Sequence, residues 1–252
     1  MPPPKYLAQA NQLIAILPEE SRESFLEHCK LVNLQRQDVL TRSGQFAEHA
    51  YFPLDSYVAV VLSMADSNDV QVDLIGNEGM VNVALVLGVR PASLTSVVQG
   101  AGRAFRIRHS ELHQLLDADT FLRGVLNLYM SLRMDQLARN MACASLHSVE
   151  QRLARWLLMV KDRAHSNELL LTHEVLALML GVRRESVTQA ASALQKQVLI
   201  SYSRGDIMLI NEPGLRAAAC SCYEADLGVY ERAMDSLAPV QKPDLVQDAI
   251  VR

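Results

Sequence analysis

A run of seven residues beginning at residue 183 carries side chains that can recognise nucleic-acid bases. It reads Arg183-Arg184-Glu185-Ser186-Val187-Thr188-Gln189. Arginine can donate two hydrogen bonds to O6 and N7 of guanine, glutamate can accept one from N4 of cytosine, and glutamine can pair with adenine. A helix presenting these groups together would suit the major groove of duplex DNA. Taken alone, the same charges could also form a solvated helix face.

Apolar residues on both sides of Gly181 predict two short helices that would present this run. Three share a face before the glycine and four share a face after it: Leu176, Ala177 and Leu180, then Val187, Ala190, Ala191 and Leu194. Gly181 permits the positive φ that a steep turn requires. Thr172 occupies the N-cap position of the first helix, where its hydroxyl and the free amides could contact a phosphate. We therefore predict a helix-turn-helix, with a recognition helix at about residues 183–197.

After residue 199 the apolar pattern changes from helical spacing to alternation. Ile200 and Tyr202 precede a turn at Arg204-Gly205-Asp206, and Ile207 and Leu209 follow it. This pattern predicts a β-hairpin. A hairpin directly after a recognition helix is a wing, and its Arg204 could reach the phosphate backbone.

The segment upstream of these helices is predicted to form an antiparallel β-roll. Residues 6–30 have the pattern of one or two helices. The segment 31–108 then carries short β-branched and aromatic runs at 57–62, 70–75, 96–99 and 104–107, separated by glycine-rich turns. Short strands at this spacing are typical of an antiparallel barrel or roll.

From Ser110 to about Ala164 the pattern is helical, and a helix of some 25 residues would be about 38 Å long. One apolar stripe follows it: Leu122, Leu126, Met130, Met134, Leu137 and Met141. The stripe is expected to pack against a second copy as a two-stranded coiled coil. Alternatively, it only covers the β-roll. A break is expected near residues 144–148, before a helix at 149–161 with a Ser148–Gln151 capping box. The tail after about Tyr230 is expected to be frayed.

The strand and helix patterns together predict an α+β protein. Its length and composition favour two domains with hydrophobic cores, since half of the 252 residues are hydrophobic. The expected divisions are 1–108 (N-terminal helices and sensor roll), 109–146 (dimerisation helix and hinge), 147–216 (winged helix-turn-helix) and 217–252 (C-terminal helix and tail). The net charge of −4 does not suggest a nucleic-acid binder. However, residues 145–216 carry nine Lys or Arg against seven Asp or Glu, a modest basic excess in the expected DNA-binding segment.

No apolar run reaches the roughly 18 residues that cross a bilayer, and residues 1–5 have no signal-peptide core. We expect a cytoplasmic protein with no membrane partner.

The order of these elements resembles the CRP/FNR family of bacterial transcription regulators over about residues 12–215. The resemblance is most specific at 151–158 (QRLARWLL) and 180–199, where residues 181–187 are similar to the family pattern Gly-x-x-Arg-Glu-Thr/Ser-Val. It implies that Arg184 and Glu185 read bases and that Thr172 and Ser186 contact phosphates. Gln189 occupies a third base-reading position, where other members often have arginine.

The resemblance further implies a cyclic-nucleotide-binding-like jelly roll and a homodimer on a pseudo-palindromic operator. It also implies RNA polymerase and an unassigned small-molecule effector as partners.

The effector pocket is where the sequence departs from the cyclic-AMP-binding members, which place Gly-Glu and then Arg-Ser around the ligand. Residues 80–85 (MVNVAL) lack Gly-Glu, and residues 92–99 contain no Arg or Lys. Burying a phosphate without a cation is costly, so standard cyclic-AMP binding is not expected. Two alternatives stay open. One is a cyclic-nucleotide or cyclic-dinucleotide receptor that uses Arg90, Arg103 or Arg133 instead, and the other is a protein-interaction module that no longer reads DNA.

No paired carboxylates, nucleophile–base set or phosphate-binding glycine loop indicates an enzyme. His109 and His113 could share a helix face as metal ligands, but no third ligand is evident. Cys29 alone cannot hold the iron–sulfur cluster of the oxygen-sensing members. Cys143 is interpreted as a core residue, and Cys220-x-Cys222 as an incidental reduced pair rather than a redox pair. We therefore expect neither a metal ion nor a cofactor.

Overall fold

The computed structural model describes residues 5–64, 69–203 and 205–237. Its N-terminal half contains the expected β-roll, whose strands are β1 Lys30–Leu34, β2 Val39–Thr41, β3 His49–Pro53, β4 Tyr57–Ser63, β5 Asp69–Ile75, β6 Thr95–Gly100 and β7 Gly102–Arg108. In the described ranges they form two antiparallel sheets, ordered β2-β6-β4-β5 and β1-β7-β3. Val58, Ile75 and Val98 are buried between the sheets with Leu34 and Val81, as alternating strands with one inward face require.

Short N-terminal helices fasten onto the roll. A 3-10 helix at Lys5–Ala10 leads into α1, Gln12–Ala15, and α2, Glu19–Glu27. Asn11 is fully buried, and its Oδ1 accepts hydrogen bonds from the backbone amides of Leu13 and Ile14 in α1. Its Nδ2 donates to the carbonyl of Pro53 at 2.9 Å. One side chain therefore caps the helix and ties it to the roll.

The helical segment that follows has the predicted break at residues 147–148 and a second, unpredicted one at Asp119. It consists of α3 His109–Ala118, α4 Thr120–Leu146 and α5 Val149–Ala164. Asp119 begins α4 by accepting hydrogen bonds from the amides of residues 121 and 122. Ser148 and Gln151 form the expected capping box at the start of α5. No helix within the described residues combines the length and apolarity needed to cross a membrane.

The apolar stripe of α4 has two different environments. Leu122 and Leu126 are 2% and 0% exposed and pack in the core formed with α2, α3 and the roll. The prediction that these two leucines face a second copy is therefore wrong, because their own chain covers them. Further along, Met134 and Met141 are 67% and 72% exposed. Leu137 is exposed as well, and Met130 is half-buried.

The C-terminal half is a winged helix-turn-helix. Its elements are β8 Glu168–Leu170, α6 His173–Leu180, α7 Arg184–Lys196, β9 Ile200–Ser203, β10 Asp206–Leu209, α8 Glu212–Ala218 and α9 Cys222–Leu237. The expected hairpin, β9 and β10, is joined by β8, giving the antiparallel order β8-β10-β9. Strand β8 was not predicted, because three residues are too few to show a period.

The C-terminal tail is ordered further than expected. Helix α9 continues to Leu237, and Met234 and Leu237 pack against the N-terminal core. The Tyr230 hydroxyl donates a 2.5 Å hydrogen bond to the carbonyl of Glu78 in the roll. The prediction that the chain frays from about Tyr230 is therefore wrong for the residues up to Leu237. The rest of the predicted tail lies outside the described residues.

A buried ion pair joins α4, α5 and α9 at the hinge. Arg155 in α5 is 1% exposed, and its Nη2 lies 2.7 Å from Asn140 Oδ1 in α4 and 2.5 Å from Asp226 Oδ2 in α9. Arg139 in α4 completes the group, with its Nε 2.6 Å from the second oxygen of Asp226. The orientation of α5 relative to the long helix is thus fixed by charge as well as by packing.

Asp226→Asn should lower the free energy of unfolding by about 3 kcal/mol, because it leaves the buried guanidinium of Arg155 without its counter-charge. Urea denaturation would measure the loss. Asp135→Asn, which removes an exposed carboxylate from α4, is the matched control and should stay within about 0.5 kcal/mol of the parent. Similar stabilities for the two variants would contradict a stabilising role for the pair.

Candidate functional site

The first two turns of α7 expose the residues expected to read bases. Arg183, Arg184 and Glu185 are exposed, as are Thr188 and Gln189. Ser186, a predicted phosphate contact, is half-buried. The opposite face of α7 is buried in the domain core and comprises Val187, Ala190, Ala191 and Leu194. One side of α7 is therefore committed to packing, and the other is open to a ligand.

The corner before α7 has the predicted glycine geometry. Gly181 adopts φ +61°, a left-handed conformation that other residues adopt at a steric cost. Its amide and that of Val182 both donate to the carbonyl of Ala177, which ends α6. Arg183 is the N-cap of α7, and no side chain within the described residues caps that end. Its free first-turn amides therefore suit an anionic oxygen.

Arg184 is held by an exposed carboxylate rather than buried. Its Nε lies 3.0 Å from Oε1 of Glu174 in α6, with the two side chains 65% and 62% exposed. Exposed pairs of this kind contribute only about 0–1 kcal/mol. Arg184 can therefore exchange Glu174 for a base at little cost.

His173, which the sequence analysis did not single out, connects the two helices of the motif to the wing. Its ring stacks on Tyr202 of β9 with centroids 4.3 Å apart. Its Nδ1 is 2.9 Å from Thr188 Oγ1, an oxygen that lies 3.1 Å from the carbonyl of Arg184. Thr188 thus orients α7 from within the motif. No local pattern links residues 173, 188 and 202, so this contact could not be predicted from the sequence.

Of the two other predicted phosphate contacts, the structure describes Thr172. Thr172 is exposed at the start of α6, and its Oγ1 accepts a hydrogen bond from the amide of Val175 at 3.3 Å. The structure therefore places it at the N-cap, as predicted. Arg204 lies outside the described residues.

A second candidate site is a cavity of about 250 Å³ between the roll and α4. Asn82 lies at its edge in a left-handed conformation, φ +65°. The Asn82 side-chain amide donates to Thr41 Oγ1 and to the carbonyl of His49, each at 2.8 Å. Most of the remaining lining is apolar and includes Val60, Val72, Ile75, Met80, Leu85 and Leu94. A ligand here would meet mainly hydrocarbon.

The arginines considered for an anionic effector already have carboxylate partners. Arg90 pairs with Glu48, Arg103 with Asp55, and Arg133 with Asp73. The Arg133–Asp73 pair is buried and lines the cavity. Burial, followed by the charge of Arg163, lowers the pKa of Arg133 to about 9.

Comparison with known protein families identifies both halves of the chain. Residues 31–119 match the cyclic nucleotide-binding domain, and residues 151–218 match the Crp-like helix-turn-helix domain. The chain belongs to the CRP/FNR family. It is therefore a transcription regulator with a cyclic-nucleotide-binding domain and a helix-turn-helix domain, and the predicted family and fold class are confirmed.

Individual relatives of this CRP/FNR chain are distant. The cAMP-activated global transcriptional regulator CRP of Pasteurella multocida is 23% identical over 196 residues, covering 71% of this chain and 89% of the relative. Solved structures that share the fold include two regulators. A CRP/FNR-family transcriptional regulator of Thermus thermophilus has a TM-score of 0.64 at 20% identity, covering 75% of this chain and 98% of that one. The c-di-GMP responsive global regulator CLP of Xanthomonas campestris has a TM-score of 0.63 at 18% identity. The match covers 76% of this chain and 99% of that one.

A cluster that the sequence analysis missed lies at the hinge of this CRP/FNR chain. The ligand atoms of Cys143, His147, Cys220 and Cys222 all lie within 4.8 Å of one another. Hydrogen bonds from Cys220 and then His147 lower the pKa of the Cys143 thiol, although burial opposes the shift. The Cys143-x-x-x-His147 spacing and Cys220-x-Cys222 were the available signals. Cys143, interpreted as a core residue, is buried as expected, and the Cys-x-Cys pair is buried beside it; their meeting with His147 was not predicted.

The remaining cysteine and histidine candidates lie elsewhere. Cys29 is buried in the N-terminal core, where burial raises the pKa of its thiol. Among the described residues, His109 and His113 belong to no set of three potential ligands close enough to share an ion.

The stability of the DNA-binding half should depend on pH through His173. Burial, followed by the charge of Arg184, lowers the pKa of His173, so the unfolded chain binds its proton more readily than the folded one. The contribution of neutral His173 is complete above the unfolded pKa of about 6.5 and is lost as the pH falls below it. Replacing His173 with Gln should therefore reduce the loss of unfolding free energy between about pH 7 and pH 5.

Denaturation series at several pH values would measure this slope. His165→Asn is the control, because His165 is exposed and its left-handed backbone is tolerated by asparagine. Parallel pH profiles for the parent and His173→Gln would reject the assignment.

Proposed function

We propose that the chain is a homodimeric regulator that reads a pseudo-palindromic DNA site through α7 and receives a signal at the β-roll. The observation that carries the proposal is the division of α7. Val187 and Leu194 are buried on one face, while Arg183, Arg184 and Glu185 project from the other beside an uncapped helix end. A helix end of this kind can bind a phosphate while its side chains reach base edges.

Each of the predicted DNA-binding residues is assigned a contact in this proposal. Arg184 would pair with guanine once released from Glu174, Glu185 would accept from cytosine, and Gln189 would read adenine. Arg183, Thr172, Ser186 and Arg204 would contact the sugar–phosphate backbone and set the register of α7 in the groove. Thr188 would support this face through His173.

Arg184→Ala should weaken binding to the preferred operator by about 1–3 kcal/mol and relax base preference at one position in each half-site. Selection of bound fragments from random duplex DNA, for parent and variant in parallel, would give the operator, its symmetry and the relaxed position. Arg123→Ala is the control, since Arg123 pairs with Asp117 at the far end of α4. Unchanged discrimination by Arg184→Ala would count against base reading by this residue.

The exposed stripe of α4 supports dimerisation. Met130, Met134, Leu137 and Met141 follow a 4-3-4 spacing, which is the seam of a two-stranded coiled coil. Their side chains are half-buried at Met130 and exposed at the other three positions, as a partner helix requires. A two-fold axis along this seam would place the two recognition helices about 34 Å apart, in successive major grooves.

The double variant Met134→Glu, Met141→Glu should be monomeric, because it places like charges opposite one another in a closed seam. Sedimentation equilibrium would give the mass, and a full operator should then bind more weakly than in the parent. Asp135→Lys changes an exposed charge on the same helix and should stay dimeric. A dimeric double variant would show that the interface lies elsewhere.

We place the regulatory input at the cavity between the roll and α4. Its apolar lining, and the pairing of Arg133 with Asp73, favour an effector with substantial apolar surface over a bare phosphate ester. A cyclic nucleotide or dinucleotide would first have to displace Asp73 or Glu48 from its arginine. The effector would act by binding the DNA-competent and incompetent hinge states with different affinities. RNA polymerase, in the cytoplasm, is the expected partner of the bound dimer.

A further inference from the structure

The end of α4 and the start of α9 bring four potential metal ligands to one point. Cys143 lies in the last turn of α4 and His147 directly follows that helix, while Cys220 and Cys222 lie just before and at the start of α9. Three of the four cysteines in the chain therefore meet one imidazole, although the two pairs are more than 70 residues apart in sequence. The three thiols are buried together, at 2%, 4% and 8% exposure.

The distances fit tetrahedral coordination of a single ion. Zinc binds sulfur at about 2.3 Å and nitrogen at about 2.0–2.1 Å. In a tetrahedron these bonds separate two sulfurs by about 3.8 Å, and a sulfur from a nitrogen by about 3.6 Å. Cys143 Sγ and Cys220 Sγ are 3.5 Å apart, and Cys222 Sγ is 3.7 Å from His147 Nδ1. All six pairs of ligand atoms lie within 4.8 Å, so closing the site needs side-chain shifts of at most about 1 Å.

Other uses of the four residues fit less well. A disulfide brings its sulfurs to about 2.05 Å, and the cysteines are free thiols. An iron–sulfur cluster contains several irons with their own thiolate ligands, whereas all four ligand atoms lie within 4.8 Å. Thiolates with one imidazole suit zinc among the common divalent ions.

The surroundings suit the charge of such a site. Three thiolates and one divalent zinc ion leave one negative charge. Arg152 and Arg155 are close enough to interact electrostatically with Cys143 and Cys220. Both guanidiniums would stabilise the loaded site.

We propose that Cys143, His147, Cys220 and Cys222 bind one zinc ion, as a closed structural site that holds the end of the long helix to the start of α9. Four protein ligands leave no open coordination position, so the ion would have a structural rather than a catalytic role. Because α4 belongs to the sensor half and α9 follows the winged helix, zinc would set the hinge between them. The proposal does not depend on DNA binding.

The first test is the metal content of the whole 252-residue chain. Mass spectrometry of the elements should find about one zinc per chain after extensive dialysis. X-ray absorption at the zinc edge should show three sulfur ligands and one nitrogen. Replacing zinc with Co²⁺ should produce the visible absorption of tetrahedral cobalt–thiolate coordination.

Single substitutions distinguish the four proposed ligands from Cys29, which lies outside the site. Loss of an outer-shell partner already weakens metal affinity about 10- to 100-fold, so loss of a direct ligand in Cys143→Ser or Cys220→Ser should exceed about 100-fold. His147→Gln should weaken affinity in the same direction. Cys29→Ser is the matched control, because Cys29 is equally buried but lies in the N-terminal core, and it should keep its zinc.

A titration of the unmodified chain covers the case in which a variant fails to fold. The protein is first freed of metal with a chelator. Adding zinc alone should then raise its melting temperature above that of the metal-free protein, because the ion binds the folded site. Magnesium should have no such effect. A parent without zinc, zinc retained by Cys143→Ser, a Cys143–Cys220 disulfide, or iron with acid-labile sulfide would each overturn the proposal.

Discussion

The buried guanidinium of Arg155 is the constraint on which the arrangement of this regulator depends. It lies where α4, α5 and α9 meet, and it bonds to Asn140 on one side and Asp226 on the other. A charge removed from water is stable only if its partners keep their positions. The three helices must therefore hold one mutual geometry while Arg155 stays buried, and that geometry sets the position of the winged helix relative to the roll.

Further polar contacts near this ion pair join the roll to the helices α5 and α9. Arg163 of α5 pairs with Glu78 of the roll at 2.7 Å, and Tyr230 of α9 donates to the carbonyl of that glutamate. Asn140 reaches the carbonyl of Val72 in β5, a strand that also contacts α6 and lines the cavity at Val72 and Asp73. A ligand that displaced β5 would disturb these contacts together. The signal would thus pass through discrete bonds that are either made or broken, as a two-state switch requires.

Local patterns predicted the DNA-reading unit, whereas contacts between distant residues escaped sequence reasoning. The helix-turn-helix depends on Gly181 and on apolar spacing within about 25 residues, so its geometry could be read from the chain. Leu122 faces its own core because α2 and the roll pack over it. The apolar period within α4 carries no information about that packing. The meeting of Cys143 with Cys220 and the stacking of His173 on Tyr202 likewise arise from tertiary packing. Motifs with local spacing were found, and sites assembled by folding were missed.

Helix α4 shows why a single apolar stripe was misleading. Its first turns are buried at Leu122 and Leu126, its middle exposes Met134 and Met141, and its last turn places Cys143 beside α9. Residues of one helix therefore pack in the core, form the proposed dimer seam and reach the hinge, in that order along α4. Since Cys143 follows Asn140 by one turn and Cys222 precedes Asp226 by one turn, a zinc ion would fasten the same two helices that Arg155 joins. The ion pair and the metal site would then attach α9 to α4 at two separate points. A single attachment point lets α9 rotate relative to α4, whereas two points fix its orientation.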